Sequence, residues 1–188
     1  MTARIDTAAC ESHHAAPRGA RATDRTMPLA TVRTLAAGAH VGDLVFIRER
    51  AGAPDAATGA AGAWANRFGI VVDTSGDEPV IAESTAFGWT TLTPLSRFVA
   101  RTDGGRIALA RRVAAASADA QRHVHALAER RIDALLGSRF NLRARRGFCA
   151  QYVAEVLGAG HAATPSALLR SGTLALEFDG IVFDARQP

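Results

Sequence analysis

The sequence predicts an α+β domain in which an antiparallel sheet packs against two helices. Three observations lead there. Short apolar runs at 41–48, 68–72 and 79–83 are separated by turn-forming clusters, as strands are. Residues 117–136 carry an apolar stripe at helical spacing with a cap at each end. Gly147 to Gly158 places Cys149, Tyr152, Val153, Val156 and Leu157 at i, i+3, i+4, i+7 and i+8, a second helical stripe. At 188 residues the chain suits one domain with a sizeable core.

Residues 1–28 are rich in Ala, Arg, Thr and His without apolar periodicity and read as a disordered tail, leaving 29–188 as a single domain. His13 and His14 lie in that tail with no third ligand for a metal. Val41 to Arg48 is the first strand, its continuous apolar run suited to burial on both faces. Glu49 to Asn66, rich in Ala and Gly, reads as a long connection that serves as a lid or a specificity loop. Phe68 to Val72 is a second strand and Pro79 to Glu83 a third. The short turn Asp73-Thr74-Ser75-Gly76-Asp77 between them implies antiparallel pairing. Trp89 to Thr93 is a fourth strand. Pro94 opens a helical turn to Val99 from the first helical position, where its missing N–H costs nothing. Asp103-Gly104-Gly105 marks a turn before a strand at 106–111.

Ser117 is a good N-cap for the long helix, Asp119 suits its first turn, and Gly137 follows its end. Val124, Ala128, Ile132, Leu135 and Leu136 form the apolar face. His123 and His125, two apart beside that face, do not point together. Arg139, Arg143, Arg145 and Arg146 make a basic connection into the Cys149 helix. Thr164-Pro165-Ser166 opens another short helix. Asp179-Gly180 signals a two-residue hairpin between 174–178 and 181–185.

Composition limits function more by exclusion. The net charge is +4, and all 22 basic residues are Arg. Such a balance permits an acidic partner, but the Arg clusters lack interleaved aromatics, and nucleic-acid binding is disfavoured. Phosphate-loop, dinucleotide, HExxH and CxxC patterns are absent, so no cofactor and no metal are expected. No apolar run approaches the roughly 18 residues of a membrane span, and no leader-like segment opens the chain, which makes the cytoplasm the default location. The two cysteines, Cys10 in the tail and Cys149, are not expected to pair. The oligomeric state is left open.

A thiol in the first turn of a helix feels the positive end of the macrodipole, and Arg145 and Arg146 push the same way, so Cys149 is a candidate thiolate. The competing reading is a buried structural cysteine. The order of elements weighs for the former. The GDLVF strand, the FGIVV strand, VIAES, TPLSRFVAR, the IALAR strand, FCAQYV and the late TPSALLRS follow one another between Gly42 and Gly172. In this order they resemble the circularly permuted branch of the NlpC-type papain-like superfamily, the YiiX/YebB-like proteins, whose distant relatives include lecithin-retinol acyltransferase.

That resemblance implies a papain-like antiparallel sheet or half-barrel packed on the Cys149 helix. It implies a thiol hydrolase or acyltransferase acting on amide or ester bonds, in cell-wall peptides, protein side chains or lipids, through an acyl-thioester on Cys149. By position, Cys149 would be the nucleophile and Glu83 the residue that orients the base. The family's histidine falls on Arg67. An arginine stays protonated, with a pKa above about 12, and cannot take and return a proton near neutral pH. His40, His123, His125 and His161 offer no evident replacement. Antiparallel pairing places Glu83 near Arg67, so an Arg67–Glu83 ion pair is expected where relatives hold a histidine–carboxylate pair. The alternative function is a catalytically inactive relative that keeps the fold for binding.

Overall fold

A computed structural model describes residues 29–49, 64–85, 87–137, 145–160 and 164–181. The 1–28 tail, residues 50–63 of the long Glu49–Asn66 connection, Arg139, Arg143 and His161 lie outside them. The elements run α1 (Leu29–Gly38), β1 (Leu44–Glu49), β2 (Arg67–Asp73), β3 (Val80–Ser84), β4 (Thr90–Pro94), α2 (Leu95–Val99), β5 (Thr102–Arg112), α3 (Ala118–Leu136), α4 (Phe148–Glu155), α5 (Pro165–Arg170) and β6 (Leu174–Ile181). The strands form one antiparallel sheet in the order β4-β3-β2-β1-β5-β6.

Helices cover both faces of this sheet, which is why β1 reads as an unbroken apolar run. Side chains alternate along a strand. Leu44 and Phe46 therefore join the core beneath α3, α4 and α5, built around Ile70, Ala82, Ile132, Leu135, Phe148, Tyr152 and Leu168. Val45 and Ile47 join the other core beneath α1 and α2, with Val71, Ile81, Leu95, Phe98 and Leu35. The first of these is the α4 face of the sheet and the second the α2 face.

Gly69 shows how tightly the α2 face is packed. A Cβ there would stand 2.2 Å from Ile81 Cγ2 and 3.2 Å from the Phe98 ring. Ile81 Cγ2 is fixed close to its own backbone and cannot swing away. Gly69→Ala is expected to cost about 1–3 kcal/mol by overpacking. A lower urea midpoint at unchanged m-value would show it, and an unchanged midpoint would mean that the strands part freely at this point.

The long helix α3 forms as its caps dictate, with the Ser117 hydroxyl accepting from the Ala120 N–H at 3.2 Å. The Thr164 hydroxyl caps α5 in the same way, accepting from Ala167 at 3.2 Å. Three local expectations are corrected, and one element is new. Pro94 is extended (ψ 144°) and closes β4, so the helical turn begins one residue later. Asp103-Gly104-Gly105 does not precede a strand but bulges within one. Pairing passes from Glu49–Thr102 to Ile47–Ile107, so β5 spends five residues where β1 spends two, with Gly105 in the left-handed region at φ 70°.

Asp179-Gly180 makes no hairpin either. β6 runs straight through it, because Asp179 pairs with Ala108 and its carboxylate accepts from Arg106 at 3.0 and 2.9 Å. Finally, α1 was not foreseen. Its buried Val32 and Leu35, with Ala36 and Ala39, have helical spacing, but they adjoin a tail of similar Ala-rich composition.

Candidate functional site

The α4 helix begins where the backbone forces it to. Gly147 lies in the left-handed region at φ 71°, a conformation that favours glycine. Its N–H donates to the Gly88 carbonyl at 2.8 Å, and Arg146 bridges Trp89. The helix start is thereby tied to the β3–β4 turn. From there Cys149, Tyr152, Val153, Val156 and Leu157 are all buried, as the stripe predicts, together with Phe148. The helix ends at Glu155, ahead of the Gly158 boundary. Arg131 of α3 clamps its outer side through Glu155 (2.8 Å) and Gln151 (3.2 Å).

Cys149 is 2% exposed, and its thiol donates to the Ala82 carbonyl at 3.6 Å. Burial pushes its pKa up to about 11, and the charge of Glu83 adds to the rise. The Ser84 and Thr90 hydroxyls, and the cysteine's own backbone N–H, act against it. Burial therefore works against the thiolate that the helix position suggests. Desolvation of a buried sulfur outweighs the macrodipole, whose influence is modest and short-ranged.

The Arg67–Glu83 ion pair is present, with Arg67 Nε and Nη2 both 3.2 Å from one Glu83 oxygen. It belongs to a closed ring. Arg67 also reaches Glu49 at 3.0 Å, while Arg101 joins Glu83 at 2.6 Å and Glu49 at 3.7 Å. Two arginines and two glutamates thus balance in charge. Burial raises the Glu83 pKa, but the Thr93 hydroxyl at 2.6 Å, Arg101 and Arg67 together hold the carboxyl below its usual range.

Register decides which of these groups meet. Arg67 shares its parity with Gly69 and Val71, and Glu83 shares its parity with Ile81, so both belong to the α2 face. Cys149 packs on the α4 face against Ala82, beside Ser84 and Thr90. Among the described residues no hydrogen bond or ion pair joins Cys149 to Arg67 or Glu83. The three positions carried over by resemblance are neighbours across a sheet, and among the described residues a hydrogen bond or ion pair joins only Arg67 and Glu83.

Nor does a described histidine stand in. His40 lies at the opposite end of β1 from the Arg67 pairing, beside Asp43 and Arg111. His123 and His125 are exposed on α3, the latter 3.2 Å from Glu129. Among the described residues no group of three His, Cys, Asp or Glu side chains could hold a metal, and no helix is long and apolar enough to cross a membrane.

Sequence reasoning missed Glu49, Arg101, Thr93, Ser84 and Thr90. The last two had a usable signal. Closing the β3–β4 turn at Thr85 and Trp89 sets Ser84 opposite Thr90, and both share the parity of Ala82.

An antiparallel sheet carrying a helix-borne cysteine against β3 defines a papain-like fold. The chain belongs to the family of permuted papain-like amidase enzymes, YaeF/YiiX or C92, which it matches over residues 38–173. The match takes in β1 through α5 and includes Cys149, Glu83 and Arg67. No curated protein matches the chain.

Proposed function

We propose that this chain uses the amidase scaffold as a binding module for molecules bearing an amide or ester carbonyl, with turnover at Cys149 suppressed. The observation that supports this most is the partition of the three family positions by the sheet. Hydrolysis through an acyl-thioester needs the thiol proton to pass to a base and return to the leaving group. Arg67 cannot accept that proton. Glu83 is an ionised carboxylate already engaged by Thr93, Arg67 and Arg101 on the other face. Cys149 itself is a buried, neutral thiol.

Two measurements on the full chain test this. With p-nitrophenyl acetate and a fluorogenic peptide amide, the parent and Cys149→Ala are expected to give equal rates, and no acyl adduct should appear on Cys149 by intact mass. In a Trp64→Phe background, Trp89 beside the α4 start reports binding, and its emission should shift on titration with an N-acetyl peptide amide. Cys149-dependent turnover overturns the proposal.

A second reading has its own support: Cys149 occupies the first turn of α4 in a family of amidases. On that reading the chain is a thiol hydrolase or acyltransferase for amide or ester bonds in cell-wall peptides, protein side chains or lipids. A burst of acyl-thioester on Cys149 is its distinguishing product.

A further inference from the structure

One buried polar group on the α4 face lies beside the Cys149 sulfur without a fixed partner of its own. Thr90 is 3% exposed, and its Oγ1 makes no hydrogen bond of ordinary geometry among the described residues, although it lies near enough to the Cys149 sulfur to favour the thiolate. An orphaned buried hydroxyl costs roughly 1–3 kcal/mol, so its retention calls for a reason. Its surroundings supply one. Thr90 pairs directly with Ser84 across the β3–β4 ladder, on the same face as Ala82, whose carbonyl oxygen accepts from the Cys149 thiol with sulfur and oxygen 3.6 Å apart.

We infer that Thr90 is a positioning residue for the sulfur of Cys149: its hydroxyl turns its hydrogen onto the sulfur when the thiol loses its proton. The chemistry of the three neighbours differs. A carbonyl oxygen only accepts, so Ala82 favours the protonated thiol and repels the thiolate. A hydroxyl rotates and serves either partner. Against the neutral thiol Thr90 has little to donate to, since a thiol sulfur is a weak acceptor, and it stands orphaned. Against the thiolate it makes a charge-assisted bond. Ser84 acts on the sulfur in the same sense and more strongly, but it is partly exposed and has water as an alternative partner, so its hydroxyl is not left orphaned. The inference depends on the placement of Cys149 and not on whether the site turns over.

The test is alkylation by iodoacetamide in a Cys10→Ser background, followed by mass spectrometry across a pH series. The thiol proton passes to solvent, sulfur bonds to the methylene carbon, and iodide leaves. Thr90→Val keeps the shape and removes the hydroxyl. It is expected to slow Cys149 alkylation about tenfold at fixed pH, equivalent to one pKa unit, and to raise the melting temperature because an orphaned polar group has gone. Thr90→Ser should restore the parent alkylation profile. That split, higher stability with lower reactivity and rescue by serine, is not expected of a merely structural threonine. Superimposable alkylation profiles for the valine and serine variants, with circular dichroism unchanged, overturn the inference. If the valine variant does not fold, Thr90→Ala against Thr90→Ser gives the same comparison. Because the readout is reactivity and not turnover or ligand binding, its failure leaves the binding proposal standing, and the reverse holds.

Discussion

At pH 7 Cys149 is expected to react with iodoacetamide at least about a hundredfold more slowly than a free cysteine, from its thiolate fraction alone. The thiol pKa is raised from 9.0 to about 11, and each unit is tenfold in thiolate near neutral pH. Exclusion of the reagent from a site 2% exposed slows it further. In the Cys10→Ser background the rate should climb with pH towards a midpoint near 11, and urea should abolish the protection. A midpoint at or below about 8.5 would mean a primed thiolate and would favour the hydrolase reading. The same shift has a sign for stability. The folded state keeps its proton longer than the unfolded state does, so stability on this account is flat below about pH 9 and falls as pH rises towards 11.

The second large effect concerns the charge ring on the α2 face. Replacing Arg67 and Arg101 together by Met is expected to cost about 3–5 kcal/mol, because it strands a carboxylate whose side chain is 3% exposed with only Thr93 for company. Arg67→Met alone should cost less, since Arg101 stays at 2.6 Å. Adding Glu83→Gln to the double variant should recover most of the loss, as a neutral amide keeps the Thr93 contact. Chemical denaturation of the four proteins measures this, and additive losses with no recovery would refute the ring. In the parent, the depressed Glu83 pKa stabilises the fold above its unfolded value near 4.5, and that contribution disappears as pH falls through the folded value. In the double variant the sign reverses. With burial now dominant, acidification should narrow the gap to the parent. Arg67→His, which would recreate the family's residue type, is expected to bring no turnover, because position 67 serves the α2 face.

What could be read from the chain follows the range of the physics involved. Period-2 and period-3.6 patterns are local, and they yielded β1 to β3, α3 and the α4 stripe with boundaries close to those observed. The Ser117 and Thr164 caps were legible because a cap is made by residues three apart. Turn signals were less secure. Asp103-Gly104-Gly105 and Asp179-Gly180 have turn-forming composition, yet pairing partners on both sides carried the strand through. The Arg67–Glu83 pair was legible from register. Its placement on the face away from Cys149 was not deduced, although strand alternation contained it: Ala82 and Glu83 are adjacent residues and must point opposite ways. The thiol's high pKa was beyond reach, because desolvation is set by the whole core and the helix position alone suggested the opposite.

The bond from the Gly147 N–H to the Gly88 carbonyl, with the Trp89–Arg146 bridge beside it, makes the tip of the β3–β4 hairpin and the head of α4 a single lever. Gly147 has no side chain with which to cap its own helix, so the helix takes its angle from the hairpin. The same hairpin carries Ala82, Ser84 and Thr90 against the sulfur. The strands below that tip carry the three oxygen neighbours and the helix carries the sulfur, so one pair of backbone contacts ties both halves of the Cys149 surroundings.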